Sequence, residues 1–406
     1  MSYITIIILI LLCFSVTDFI QPKNKPLHGH LYKLAFLITF FLFTIKYYYG
    51  ADVINYYKCF SKIESPLSVL TSENNVFEIG FMLYMSIFKW LGLSYWLMTA
   101  VVSIIYFYAI YKLFELIPSY KILALLILVV LDYNLIFATH RQCLAVSFCI
   151  FMYFAYVNKK YFLVLVYSIL VVTMHKSGIV FVLPTLILWS LNFNVRRCDY
   201  FICLLVLFIM LLLPLQTILN NLVTVLPLGN EIKVSLYHHI IFMNKKQGII
   251  LLYAIILMLL SLYTINDSQY KKLSVIVLLG TFVISMFYQM HAVLWRLRSF
   301  FLPFMIVYLF YALTNRNSII VYSALGRYNK LVINLAVVLM MTYITYGIYK
   351  NDILMRSLKS GIYEKSTIFD LLKRSEEDIK ADRLKRASKY WSVENKENIE
   401  QHKRDK

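Results

Sequence analysis

Residues 122–131 read ILALLILVVL, ten positions without a polar side chain. A surface helix would leave a polar stripe along one face, and a half-buried strand would alternate apolar and polar residues. This run does neither, so it belongs to a helix with protein or lipid on every side. Comparable runs recur at Phe148–Tyr156, Phe201–Leu213, Ile249–Leu260 and Leu331–Tyr343. A bilayer core about 30 Å thick takes about 20 mostly apolar residues per helix. Inside it every backbone polar group must be paired within the protein, which leaves helices or a closed barrel. Barrel strands alternate, so these runs predict helices. The composition agrees: 61% of the 406 residues are hydrophobic and 15% charged, against about 45–50% and about 25% in a soluble domain. A soluble globular fold is excluded, and the expectation is an all-α polytopic membrane protein.

Apolar windows of this length give about twelve spans, at 3–21, 31–49, 93–114, 120–138, 141–157, 161–175, 177–192, 200–219, 248–265, 273–290, 296–313 and 330–349. The first is read as a permanent span. The first lysine is Lys23, so no basic region precedes the apolar stretch, and no small-residue cleavage site follows it. Orientation follows from the loops carrying Lys23, Lys25 and Lys33; Lys112 and Lys121; Lys159 and Lys160; Arg196 and Arg197; Lys271 and Lys272; and Arg316, Arg327 and Lys330. Short basic loops gather on the cytoplasmic side, which puts the N-terminus and the longer segments 50–92 and 216–247 outside. Within the first of these, Phe77–Leu91 reads as an interfacial or re-entrant helix bounded by Glu78 and Lys89. Residues 1–350 thus form the transmembrane domain. Residues 351–406 form a charged tail, helical over Ser375–Tyr390 or disordered, which this topology places outside.

The net charge of +19 is that of basic cytoplasmic loops, and no basic face with base-reading residues argues for nucleic acid. The six cysteines show no CxxC or metal-ligand spacing. HExxH, P-loop and GxGxxG patterns are absent, as is a DxD in any outer loop. Neither a metal nor a cofactor is expected.

Ionisable residues at spans are functional candidates because lipid makes them expensive, and four clusters fall on the outer face. Tyr49-Gly50-Ala51-Asp52, with Tyr56 beyond, opens the first outer segment. Asp52 suits orienting or deprotonating a sugar hydroxyl, or capping the next helix. Glu78 opens the amphipathic helix, where the helix dipole alone favours a carboxylate. His140-Arg141-Gln142 begins span five. A guanidinium presents five donors in a fixed fork and stays charged near lipid. That suits a phosphate or diphosphate at the membrane surface, the bland alternative being a snorkelling interfacial arginine. His175-Lys176-Ser177 lies between spans six and seven, where the histidine suits donation to phosphate or proton transfer. Arg296 and Arg298 enter span eleven from the outside near His291. At i,i+2 they point to different helix faces, so at most one faces such a cavity, with Arg296 slightly preferred.

These strings resemble the EpsG family, which is similar to the Wzy-type polysaccharide polymerases of bacterial inner membranes. The resemblance rests on Gly50-Ala51-Asp52 with Tyr56; Glu78-Ile79-Gly80-Phe81; Arg141-Gln142-Cys143-Leu144-Ala145-Val146-Ser147; and Met174-His175-Lys176-Ser177-Gly178. The family pattern is G-x-D, E-x-G-F, R-Q-x-L-A-x-S and F-H-x-S-A, the third being the most specific. This chain departs at Met174, where the family has an aromatic, and at Gly178, where Ala is common. The resemblance covers roughly residues 30–350 by span count and leaves the tail outside.

The resemblance implies a GT-C-like membrane fold and a cofactor-free, metal-independent polymerase acting at the periplasmic leaflet. A growing glycan on undecaprenyl diphosphate would pass to the non-reducing end of another lipid-linked repeat unit, building exopolysaccharide, capsule or O-antigen. It implies catalytic roles for Asp52, Glu78, Arg141 and His175. Diphosphate or glycan contacts would come from His140, Arg141, Gln142, His175, Lys176, Arg296, Arg298, Tyr49 and Tyr56. Membrane lipid, a flippase and a chain-length regulator are the implied partners. The sequence leaves open an O-antigen ligase or other GT-C-like transferase, a lipid-linked sugar transporter, and an inert subunit of a synthesis complex. A transporter is disfavoured because the span middles are nearly free of charge, Asp132 being the main exception.

Overall fold

The computed structural model describes residues 3–20, 25–47, 52–72, 75–213, 268–287, 291–314, 368–386 and 388. Among these residues the regular structure is helical and no strand occurs. The chain divides into two compact units, Met1–Ile179 with Ile344–Lys406, and Val180–Tyr343. The expected spans at 248–265 and 330–349, the outer segment 216–247, Tyr49-Gly50-Ala51 and most of the tail lie outside the described residues.

The first unit contains α1 (Tyr3–Ile20), α2 (Lys25–Thr44), α3 (Val53–Lys62), α4 (Pro66–Thr71), α5 (Ile79–Trp90), α6 (Tyr95–Phe114), α7 (Lys121–Leu131), α8 (Tyr133–Ala138), α9 (His140–Val157) and α10 (Tyr161–Met174). α1 and α2 pack on α7, α2 on α6, α6 on α9, α9 on α10, and α10 on α5. The run at 122–131 is apolar on every side because protein surrounds it: Ile122 through Leu128 are almost fully buried. Its N-terminus is capped across the fold, where the Leu123 N–H donates to Asp18 Oδ2 at 2.8 Å, meeting a donor the helix itself cannot satisfy. Elsewhere the large apolar side chains face outward, as at Leu9, Leu12 and Val16 of α1, Leu34, Leu37 and Phe41 of α2, and Phe162, Leu165 and Ile169 of α10. Faces of this kind are what lipid covers.

Two sequence expectations change, and a third is made specific. The span at 120–138 is not one helix. It breaks at Asp132, whose φ of −126° and ψ of 26° leave the helical region and whose side chain competes for backbone partners. It breaks again at Thr139, at φ −107° and ψ 73°, so α9 starts in a new direction at His140. The second span starts earlier than expected, at Lys25, and ends at Thr44. The segment Phe77–Leu91 forms the 12-residue α5, about 18 Å long at about 1.5 Å per residue, short of a core about 30 Å thick. With α3 and α4 it makes the segment between α2 and α6 largely helical. α4 is opened by a capping box in which Ser65 and Ser68 exchange side-chain and backbone bonds at 3.2 Å.

The second unit contains α11 (Ile179–Ser190), α12 (Arg197–Leu212), α13 (Ser268–Met286) and α14 (His291–Thr314). α12 packs on α13 and α13 on α14. Phe181 of α11 meets the rings of Phe301 and Phe304 at 5.2 and 5.6 Å. By length and composition, Tyr95–Phe114 and Val293–Tyr311 are long and apolar enough to cross a membrane, and shorter apolar helices accompany them among the described residues.

Candidate functional site

The restart of the chain at Thr139 puts Arg141 in the first turn of α9, where its guanidinium leaves the helix toward α3 and α5. It forms an ion pair through Nη1 with Glu78 Oε2. Its Nε lies 3.4 Å from the Tyr56 hydroxyl, a long contact. The guanidinium carbon sits 4.5 Å from the Phe77 ring centroid and 5.9 Å from that of Tyr56, within cation–π range. Among the described residues no protein acceptor meets Nη2. The side chain remains 24% exposed, enough to reach a ligand.

Glu78 spends both oxygens on positioning. While Oε2 holds Arg141, Oε1 accepts the Lys176 N–H at 3.3 Å. This carboxylate therefore ties α9 to the turn after α10. Burial alone would raise its pKa, but the Arg141 charge and backbone N–H bonds outweigh burial and hold it below the usual carboxylate range. A carboxylate that is half-occupied by a guanidinium and hard to protonate is a poor general base.

Gly80 explains the E-x-G-F spacing. A Cβ there would lie 2.7 Å from Thr173 Oγ1 and 2.9 Å from the Thr173 carbonyl carbon. α5 thus crosses α10 with no room for a side chain, and this close approach brings Glu78 within reach of the turn at His175–Lys176.

In that turn His175 Nδ1 faces Ser177 Oγ at 2.7 Å and accepts the Ser177 N–H at 3.3 Å. A backbone N–H can only donate, so Nδ1 is unprotonated and the ring carries its hydrogen on Nε2. His175 is oriented as a donor, suited to an oxyanion rather than to proton abstraction through Nε2. The adjacent Lys176 side chain is exposed.

Tyr56 sits in an aromatic nest, 5.3 Å from Phe77, 5.4 Å from Phe81 and stacked on His140 at 5.4 Å. Burial foremost, with the Asp52 charge adding and Arg141 opposing, raises its pKa above the usual tyrosine value, so its hydroxyl keeps its proton. Asp52 occupies the N-cap position of α3 but makes no side-chain cap bond, and its half-buried carboxylate is near enough to act on Tyr56.

The structure therefore gathers Tyr56, Glu78, His140, Arg141 and the His175–Lys176 turn, with Asp52 beside Tyr56. Gln142 is buried next to Arg141. Tyr49 lies outside the described residues. In the second unit Arg296, the slightly preferred member of its pair, is exposed. Arg298 is buried with its guanidinium 4.3 Å from the Trp295 ring. Sequence reasoning missed Phe77, the ring beneath Arg141, and Thr173, the residue Gly80 abuts. Phe77 directly precedes the Glu78 motif, and that adjacency was the available signal. Among the described residues no group of His, Cys, Asp or Glu is arranged to hold a metal.

The family model described as the EpsG family matches residues 30–359. No curated protein and no solved structure matches. The match spans most of the chain, and the protein belongs to the EpsG family. It is a membrane protein of polysaccharide biosynthesis.

Proposed function

We propose that this EpsG-family chain is a metal-independent polymerase. In this reading it transfers a growing glycan from a polyprenyl diphosphate to the non-reducing end of a second lipid-linked repeat unit. The observation that carries the reading is the tethered Arg141. Its guanidinium is clamped by Glu78 and backed by the Phe77 ring, and among the described residues no protein acceptor meets its Nη2.

The chemistry follows from charge. The acceptor hydroxyl oxygen attacks the anomeric carbon and forms the new glycosidic bond. The bond from that carbon to the diphosphate oxygen breaks, and its electron pair stays on the departing diphosphate. Preorganised donors aimed at developing charge lower such a barrier most. Arg141, His175 through Nε2, and Lys176 are the donors this site supplies. The hydroxyl proton goes to a base, and Asp52 is assigned that role because Glu78 is committed to Arg141. Tyr56, Phe77 and Phe81 offer ring faces and a hydroxyl suited to a sugar path. Gln142 and His140 support the wall of the site. At most one of Arg296 and Arg298, with the exposed Arg296 preferred, is assigned to the glycan or diphosphate path, as is Tyr49.

The reading carries the topology with it: about twelve spans in a GT-C-like arrangement, in a bacterial inner membrane, with the site at the periplasmic face. A flippase and a chain-length regulator would act beside it. Support for a single outer face comes from the tail. Residues 376–386 are helical, and Lys380 Nζ donates to the Tyr57 hydroxyl at 2.7 Å, next to Tyr56 on α3.

The test is glycan length in cells lacking this protein, complemented with wild type or Arg141→Ala at matched folded protein. Long polymer with wild type and single lipid-linked units with the variant are expected. Long polymer from the variant, or from cells without the protein, overturns the reading.

A further inference from the structure

Lys46 is the least expected residue in the first unit. It follows α2, is only 4% exposed, and directs its ammonium to the main chain, donating from Nζ to the Ile136 carbonyl at 2.8 Å. A buried ammonium is costly unless its hydrogen-bonding needs are met. Ile136 lies in α8, the one-and-a-half-turn helix between the breaks at Asp132 and Thr139. The last carbonyls of a helix have no partner within it. At this corner they are met from outside: Ile136 O by Lys46, and Leu135 O by the Thr139 N–H at 3.2 Å, Thr139 Oγ1 at 3.1 Å and Cys143 Sγ at 3.2 Å.

This corner aims Arg141. The chain leaves α8, turns at Thr139, and places His140 and Arg141 as the first two residues of α9. His140 stacks on Tyr56, and the Tyr56 hydroxyl faces Arg141 Nε. A shift of the corner would move His140, its stacked tyrosine and the guanidinium together. No shorter side chain leaving the end of α2 would reach α8, and no apolar one would satisfy Ile136 O.

We propose that Lys46 is a positioning residue: by bonding Ile136 O it fixes the α8–α9 corner and thereby the place of the Arg141 guanidinium. This rests on the proposed role of Arg141, so Arg141→Ala is carried as a reference.

The test measures polymer per folded protein in cells lacking the native copy, with folded protein quantified by size exclusion of the intact membrane protein. Lys46→Met and Lys46→Gln are expected to lower polymer about 10- to 100-fold at near-normal folded amounts, the scale of a misplacement of about 1 Å at a reacting centre. Lys46→Arg, which keeps the charge, the reach and a donor, is expected to recover most of the loss. Wild-type polymer from either neutral variant overturns the proposal. So does failure of both neutral variants to fold, which makes Lys46 a stability residue only, and so does a folded Lys46→Arg as weak as Lys46→Met. If Arg141→Ala itself makes normal polymer, the proposed function fails first, and the outcome is distinct from failure of Lys46 alone.

Discussion

If Glu78 acts through Arg141, removing both residues should do no more harm than removing Arg141 alone. The tether is a charge-assisted hydrogen bond between side chains 24% and 12% exposed, worth about 1.5–3 kcal/mol for a bond to a charged group. Losing it lets the guanidinium leave its working position, a loss of roughly ten- to a hundredfold in transfer rate. Removing Arg141 removes a preorganised donor outright, about 100- to 1,000-fold. The double variant Glu78→Ala/Arg141→Ala should then match Arg141→Ala, giving a coupling of about 1.5–3 kcal/mol, typical of residues in direct contact. The assay is the initial rate of polymer formation in membrane vesicles loaded with lipid-linked units, normalised to folded protein. A double variant whose loss is the product of the two single losses refutes the positioning role and returns Glu78 to the list of bases.

Three further outcomes follow from the same geometry. Gly80→Ala inserts a methyl against Thr173, including its backbone, so it should cost about 1–3 kcal/mol in stability, as overpacking does, and cut polymer yield by separating Glu78 from the turn; thermal unfolding in detergent and polymer length check it, and wild-type values for both exclude the close-packing explanation. The lowered pKa of Glu78 means its ion pair contributes fully above the unfolded carboxylate value of about 4.3 and is lost as pH falls through the lower folded value. The Tm gap between wild type and Glu78→Gln should therefore be steady near neutrality and close in acid, and a gap that stays constant into acid contradicts the tether. Because Lys380 reaches Tyr57, a cysteine placed at exposed position 377 and one at exposed position 58, each in a cysteine-free background, should label alike with an impermeant maleimide in intact cells; labelling at 58 alone separates the tail from the site face.

Much of the site was legible because its motifs mix chemistry with packing at short spacing. Arg141 stood out as a cation at a span end, and the rest of its string explains itself in the fold. Cys143, Leu144, Ala145, Val146 and Ser147 are all buried where α9 packs on α6 and α10, and Ser147 Oγ donates back to Cys143 O. What sequence periodicity could not show is direction. The breaks at Asp132 and Thr139 fall inside a nearly continuous apolar run, and apolar windows do not register a corner. Lys46 was invisible for the same reason, since one charge at the edge of a span reads as an interfacial lysine until the carbonyl it bonds, 90 residues away in the chain, is brought beside it. Arg296 and Arg298 fall on different faces, the first exposed and the second buried with its guanidinium 4.3 Å from the Trp295 ring, and periodicity alone did not say which of them turns inward.

In the proposed polymerase the two carboxylates divide their labour. From sequence, either Asp52 or Glu78 could serve to take the acceptor proton. What distinguishes Glu78 is what it already holds. Glu78 is fixed at both oxygens, by a guanidinium and by a backbone N–H, and its proton affinity is lowered by those contacts. Asp52 sits at the start of α3, one turn from the aromatic nest around Tyr56. A base must be able to accept the proton it takes, and an anchor must not. The same environment that makes Glu78 a strong anchor makes it a poor base, and in the proposed polymerase the proton is therefore assigned to Asp52.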